Sequence, residues 1–302
     1  MNDRLSVKVE GVTLELSNLD KVLYPAAGFT KGEVVDYYTR IAPVLLPHLA
    51  DRALTRIRYP NGVAQQGFFE KNVPMGLPKW VRHARLPAPG STRDRETIDY
   101  VVVDSLPTLV WLANLAALEL HTPQWRVAPD GTAADPDLLV VDLDPGPPAG
   151  LTQCAEVALL LRDRLAADGL TAYPKTSGKK GMQLMCPIDG SRSSDEVSGY
   201  AKLVADELAR AHPRLIVSRM AKNLRPRKVF IDWSQNNAAK TTVTPYSLRA
   251  ETSPTVSAPL TWDEVAAGEV VPLGPAEVLE RVEADGDLLE PVLTPGPRVP
   301  DA

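Results

Sequence analysis

The sequence predicts a mixed α/β core, and three observations lead there. Short apolar runs suited to strands alternate with longer segments suited to helices, the order that lays helices on the faces of sheets. Leu138, Leu139, Val140 and Val141 form an unbroken apolar run, which reads as a strand covered on both faces. The chain has 302 residues and 44% hydrophobic content, enough for one large domain or two modest ones with a substantial core.

Taken in order, residues 5–16 alternate as a strand or hairpin about Gly11. Thr30, Lys31, Gly32 and Glu33 spell a capping box that opens a helix through about Leu46. Residues 53–59 and 66–70 read as strands around the Pro60-Asn61-Gly62 turn. Residues 84–95, rich in Pro, Gly and Arg, read as a mobile basic loop, and Tyr100 to Val103 as a strand. A helix follows from about Leu106 to Leu118, with Pro107 tolerated in its first turn. After the apolar run comes a helix from about Thr152 to Ala167, ended by Gly169. Strands at 171–174 and 182–188 flank a Gly/Lys-rich turn, a third helix spans 194–211, and strands follow at 215–218 and 228–233. Beyond Arg249 the chain turns rich in Pro and Glu, with short helices near 262–267 and 275–284. No internal repeat is visible.

Composition narrows the function classes. No stretch of about 18 apolar residues occurs, so no transmembrane helix is expected. The first residues hold no signal-peptide core, and a cytoplasmic, nucleoid-associated place is expected. Cys154 and Cys186 are too few for a disulfide framework or a zinc site, and both are expected in the core. The net charge of −5 argues against nucleic acid only until it is divided. Residues 1–130 carry 15 basic and 14 acidic side chains, residues 131–249 carry 16 and 13, and residues 250–302 carry 2 and 11. Local charge governs phosphate binding. A catalytic body over 1–250 and an acidic, Pro-rich segment over 251–302, packing on it or trailing from it, is the expected organisation.

The chemistry gathers at aspartates. Asp142 and Asp144 close the apolar run at positions i and i+2, and so point to one side of the strand. Carboxylates that close need a counter-charge or a shared proton, and a hard divalent cation supplies the first. A turn with solvated aspartates is the alternative. A second apolar run, Val229-Phe230-Ile231, ends in Asp232. If the strands are neighbours, three carboxylates could hold two cations for phosphoryl transfer; an ion pair with Arg or Lys is the other reading of Asp232. Ser177-Gly178-Lys179-Lys180-Gly181 joins two strands, and its glycines and lysines suit an anion, although the Walker A spacing is absent. Residues 218–228 hold five basic residues in eleven. Phe68 and Phe69 are adjacent on a strand, so one is free to stack on a base while the other packs in the core. His121 follows a helix end and reads chiefly as a structural hydrogen-bond partner, although it is kept among the nucleotide-pocket candidates.

Nine short segments carry a family resemblance in order: Asn18-Leu19-Asp20-Lys21-Val22-Leu23-Tyr24-Pro25, Thr30-Lys31-Gly32-Glu33, Arg58-Tyr59-Pro60-Asn61-Gly62, Phe68-Phe69-Glu70-Lys71, Leu118-Glu119-Leu120-His121, Asp142-Leu143-Asp144-Pro145-Gly146, Ser177-Gly178-Lys179-Lys180-Gly181, Asp232-Trp233-Ser234-Gln235-Asn236 and Tyr246-Ser247-Leu248-Arg249. Together they resemble the polymerase domain of bacterial ATP-dependent DNA ligase D, in the archaeo-eukaryotic primase superfamily. The resemblance implies an α+β primase-polymerase fold with mixed central sheets flanked by helices. It implies a nucleotidyltransferase that fills gaps and extends broken ends in non-homologous end joining, usually preferring manganese, with magnesium as the other ion, and preferring ribonucleotides. Asp142, Asp144 and Asp232 would be the ligands of two metal ions. Ser177, Lys180, Gln235 and Arg249 would hold the incoming NTP or dNTP, with Arg225 close by. Asn18, Lys21 and Lys31 would bind the 5′-phosphate of a downstream strand, and Phe68 and Phe69 would touch template bases. Ku and a DNA ligase are the candidate protein partners.

One position departs from the family pattern. Gln183 stands where the family usually has histidine, two residues after the second glycine of the turn. Glutamine can still donate to a phosphate but carries no charge. Two rivals remain open on the sequence: a haloacid dehalogenase-like phosphatase, which also sets Asp-x-Asp after a core strand, and a DNA-end-binding module without turnover.

Overall fold

The computed structural model describes residues 4–88 and 96–301. Two sheets organise it, the first mixed and the second antiparallel throughout. The first has five strands in the order Tyr173–Thr176, Met182–Pro187, Leu138–Pro145, Val229–Asp232 and Ile216–Val217, all antiparallel but for the last pair. The apolar run lies in its central strand, covered on both faces as the sequence predicts. Leu139, Val141 and Leu143 face the helices Leu151–Ala167 and Ser194–Ala211, where they join Cys154, Leu161, Cys186, Tyr200 and Val204 in one core. Period-two geometry then turns Asp142 and Asp144 the opposite way.

The second sheet runs Thr242–Val243, Ala117–Thr122, Ala53–Arg58, Thr97–Val102 and His83–Pro87, with Phe68–Glu70 also paired to Ala53–Arg58. The helices Lys31–Leu49 and Leu106–Asn114 cover it through Tyr37, Ile41, Leu45, Leu109 and Leu112. The capping box forms: Glu33 N donates to Thr30 Oγ1 at 3.2 Å and Thr30 N to Glu33 Oε2 at 2.7 Å. The helix runs past Pro47 to Leu49 because Leu45 and Leu49 are buried, and packing outweighs the missing donor.

Some local expectations needed correction. The second helix stops at Asn114, not Leu118; Ala116 takes a left-handed φ of 55°, and a strand begins at Ala117. His121 therefore sits within a strand, not after a helix end. Residues 83–87 form an edge strand where a loop was expected, and 89–95 lie outside the described residues. The 251–302 segment packs on both cores: Leu260, Val265, Val270 and Val299 on the first, Val256, Ala258 and Val278 on the second.

Candidate active site

Register builds the site. Lys175 pairs with Gln183, Gln183 with Asp142, and Asp142 with Asp232, so four side chains form one row across the first sheet. Gln183 and Asp142 of that row line a cavity of about 780 Å³, which His121, Thr242 and Val243 of the second sheet also line. Asp142, Asp144, Gln183 and Gln235 line it from one side, and Ser177, Lys180 and Arg249 from another.

Burial and the Asp144 charge, with Asp232 adding to them, push the Asp142 carboxyl up to about 7, although the Gln183 hydrogen bond opposes the rise. Asp144 is also raised, chiefly by burial. Gln183 Nε2 donates to Asp142 Oδ1 at 2.9 Å. Asp232 is held differently: its Oδ1 accepts from Ser234 N at 3.1 Å, and its Oδ2 from Gln235 Nε2 at 3.2 Å. Lys240 Nζ lies 3.7 Å from the same Oδ2. Among the described residues, no three His, Cys, Asp or Glu side chains already stand as a ready-made metal site. The backbone aligns the three aspartates, but their side chains do not converge.

The Gly/Lys turn is shaped by contact. Gly178 has φ +69°, and a Cβ there would come within 2.5 Å of Arg249 Cγ. A Cβ on Gly181 would approach Leu143 O to 2.3 Å, and one on Gly146 would approach Arg225 O to 2.1 Å. Close backbone approach fixes all three glycines. Ser177 Oγ accepts from Gly181 N and Lys179 N at 3.2 and 3.3 Å. Arg225 stacks over the Phe230 ring at 3.8 Å, with Nη1 3.8 Å from Asp144 Oδ2. The basic loop thus reaches the acid cluster.

Glu119, which the sequence reading gave no role, organises the cationic side of the cavity. His121 Nε2 lies 3.0 Å from its Oε2, Arg249 Nε 3.5 Å from the same oxygen, and Lys179 Nζ 3.4 Å from Oε1. Burial alone would raise its pKa. The His121 hydrogen bond and the charges of Arg249, His121 and Lys179 outweigh it and bring the carboxyl down to about 2. A depressed carboxylate stabilises the fold above its unfolded pKa, and that contribution is lost as pH falls. Glu119→Gln should therefore cost a few kcal/mol at pH 7, on the order of 1.4 kcal/mol per unit, with the deficit shrinking between about pH 5 and 2. Parallel melting-temperature curves for parent and variant down to pH 2 would contradict this.

Asn18, Lys21 and Lys31 gather away from the aspartate row, at the entrance to the first helix. Lys31 N donates to Lys21 O at 2.8 Å, and Lys21 Nζ reaches Asn61 Oδ1 at 3.4 Å. Asn18 turns the chain there with φ 54°. Burial and the Lys21 charge lower the Lys31 amine to about 8. Phe68 and Phe69 are 50% and 58% exposed, so neither packs in the core as one was expected to. Their strand is edged by Glu70, which bonds Arg56 and Arg58 at 2.7 and 2.8 Å.

A family model described as the LigD primase-polymerase domain matches residues 30–289. The chain belongs to that family. It is 46% identical over 279 residues to the multifunctional non-homologous end joining protein LigD of Mycolicibacterium smegmatis, covering 92% of this chain and 36% of that protein. It is 48% identical over 280 residues to the Mycobacterium tuberculosis H37Rv LigD protein, covering 91% and 36%. The chain thus spans about a third of the length of those relatives. The polymerase domain from M. tuberculosis ligase D, solved in complex with DNA, superposes with a TM-score of 0.88 at 46% identity, covering 94% of this chain and 99% of that one. LigD primase-polymerase membership and the α+β fold agree with the sequence expectation. They set aside the haloacid dehalogenase reading, and the Asp-x-Asp strand is antiparallel to both its neighbours.

Proposed function

We propose that this chain is a template-directed nucleotidyltransferase that fills gaps and extends broken DNA ends in non-homologous end joining. The observation that carries it is a single cavity of about 780 Å³ that Asp142 and Asp144 share with Ser177, Lys179, Lys180 and Arg249. Ser177, Lys180, Gln235 and Arg249 would hold the triphosphate of an NTP or dNTP, with His121 and Gln183 on the cavity wall. Arg225 would guard the acidic side.

The donor set fits a hard divalent cation. Asp142 and Asp144 offer only oxygen, point the same way, and repel each other where burial already disfavours their charge. Asp232 would join after leaving its Ser234 and Gln235 bonds. Bound manganese or magnesium, as two ions, would acidify a primer 3′-hydroxyl and neutralise the triphosphate. Primer extension on gapped DNA, with Mn²⁺ against EDTA, tests the reading. Binding of gapped DNA without extension would leave a non-catalytic end-binding module.

End recognition would lie with Asn18, Lys21 and Lys31, at the positive end of the first helix's dipole. A terminal phosphate carries more charge than a diester. Gapped DNA with a 5′-phosphate should bind roughly tenfold tighter than the 5′-hydroxyl form, given charge-assisted bonds of about 1.5–3 kcal/mol. Lys21→Ala/Lys31→Ala should erase that difference in fluorescence anisotropy while extension on unphosphorylated gaps persists. Equal binding of both DNAs by the parent would leave a general primase-like polymerase.

A further inference from the structure

Lys175 is fully buried at one end of that cross-sheet row, and its ammonium is fully engaged. It donates to Ser257 Oγ at 2.6 Å, to Val243 O at 3.1 Å, and to Gln183 Oε1. Gln183 in turn donates through Nε2 to Asp142 Oδ1. An amide has one accepting end and one donating end, and its orientation is set by its partners. An ammonium has no acceptor, so the Gln183 oxygen must face Lys175 and its NH₂ must face Asp142.

We propose that Lys175 is a positioning residue for the acid cluster: it pins the Gln183 amide so that the Asp142 carboxylate is held as an acceptor, open to a divalent cation in the cavity. Without that pin the amide is free to rotate and set Oε1 against Asp142 Oδ1. Two acceptors then meet, and the Asp142 carboxylate turns away from the position in which it faces the cavity. Partners behind a ligand commonly tune metal affinity in this way. Burial and then the Arg249 charge work against the ammonium, and Asp142 beyond the amide works for it; the three acceptors around Nζ hold it as a donor. This inference rests on the metal reading of Asp142 given above.

The test is direct Mn²⁺ binding, followed by the EPR signal of free Mn²⁺, on the parent, Lys175→Met, Gln183→Met, the double variant and Asp142→Ala. Near-UV circular dichroism and binding of 5′-phosphorylated gapped DNA report the fold. Each single Met variant should weaken Mn²⁺ binding about tenfold or more, and the double variant should be no weaker than the poorer single. Lys175→Gln, which keeps an N–H donor, should recover most of the affinity. Additive losses, or parent-like binding by a folded Lys175→Met, would overturn the proposal. If Lys175→Met does not fold, parent-like binding by Gln183→Met overturns it, and a loss there with recovery in Lys175→Gln supports it. Parent-like binding by Asp142→Ala would instead overturn the metal reading beneath it.

Discussion

Asp142→Ala should reduce primer extension at least a thousandfold, on the order of 4 kcal/mol of transition-state stabilisation, while the fold persists. The expectation is specific to this aspartate. Its carboxylate is opposed by burial and by Asp144, so removing it relieves repulsion and loses one hydrogen bond, from Gln183. The melting temperature of the metal-free variant should therefore hold or rise. Asp232→Ala is a poorer probe, since Asp232 also ties down Ser234 and Gln235, and its loss should loosen the 233–236 turn. Gel-based extension and circular dichroism melts check both halves. Unchanged extension by Asp142→Ala would sink the catalytic assignment.

Lys180→Ala and Arg249→Ala should each raise the apparent nucleotide KM roughly ten- to a hundredfold, for a charge-assisted phosphate bond of about 1.5–3 kcal/mol. They should separate in stability. Lys180 is exposed, so its loss disturbs little else. Arg249 is buried beside Glu119, and its loss strips a partner from a buried carboxylate, which is costly. Arg249→Ala should thus also lower the melting temperature at neutral pH. If both variants weaken DNA binding while nucleotide dependence stays at the parent level, the cradle is misassigned.

Where local geometry decides, the sequence was legible. The Asp-x-Asp strand, the capping box and the Gly/Lys turn all rest on spacings of two to four residues. The Asp142–Asp232 alignment was posed as a condition, and the register meets it. What stayed hidden depends on distant pairing. Glu119 lay inside a quoted segment, yet only the fold brings Arg249 and Lys179 to it. Lys175 matters through Gln183 and Ser257, the latter 82 positions away. The strand Ala117–Thr122 was hidden because the apolar stretch before it continues a helical pattern, and nothing in an alanine announces the left-handed turn at Ala116. Both phenylalanines stand exposed because their strand leans on Arg56, Arg58 and Glu70, not on an apolar face.

The brace behind the Gly/Lys turn has a consequence for ligand capture. Thr176 N donates to Ala258 O at 2.8 Å, Ala258 N returns a bond to Thr176 Oγ1 at 3.1 Å, and Thr255 Oγ1 donates to Gly178 O. With Gly178 packed against Arg249 and Val256, the turn has little freedom left to lose. Its ordering entropy is met when the chain folds, not when a triphosphate arrives, so the slot is preorganised. If the turn holds the triphosphate as proposed, discrimination among nucleotides would fall to the shape of a fixed wall and not to an induced closure of this turn. Residues 254–259 would then share in setting the shape of the proposed nucleotide slot, through Thr255 and Ala258.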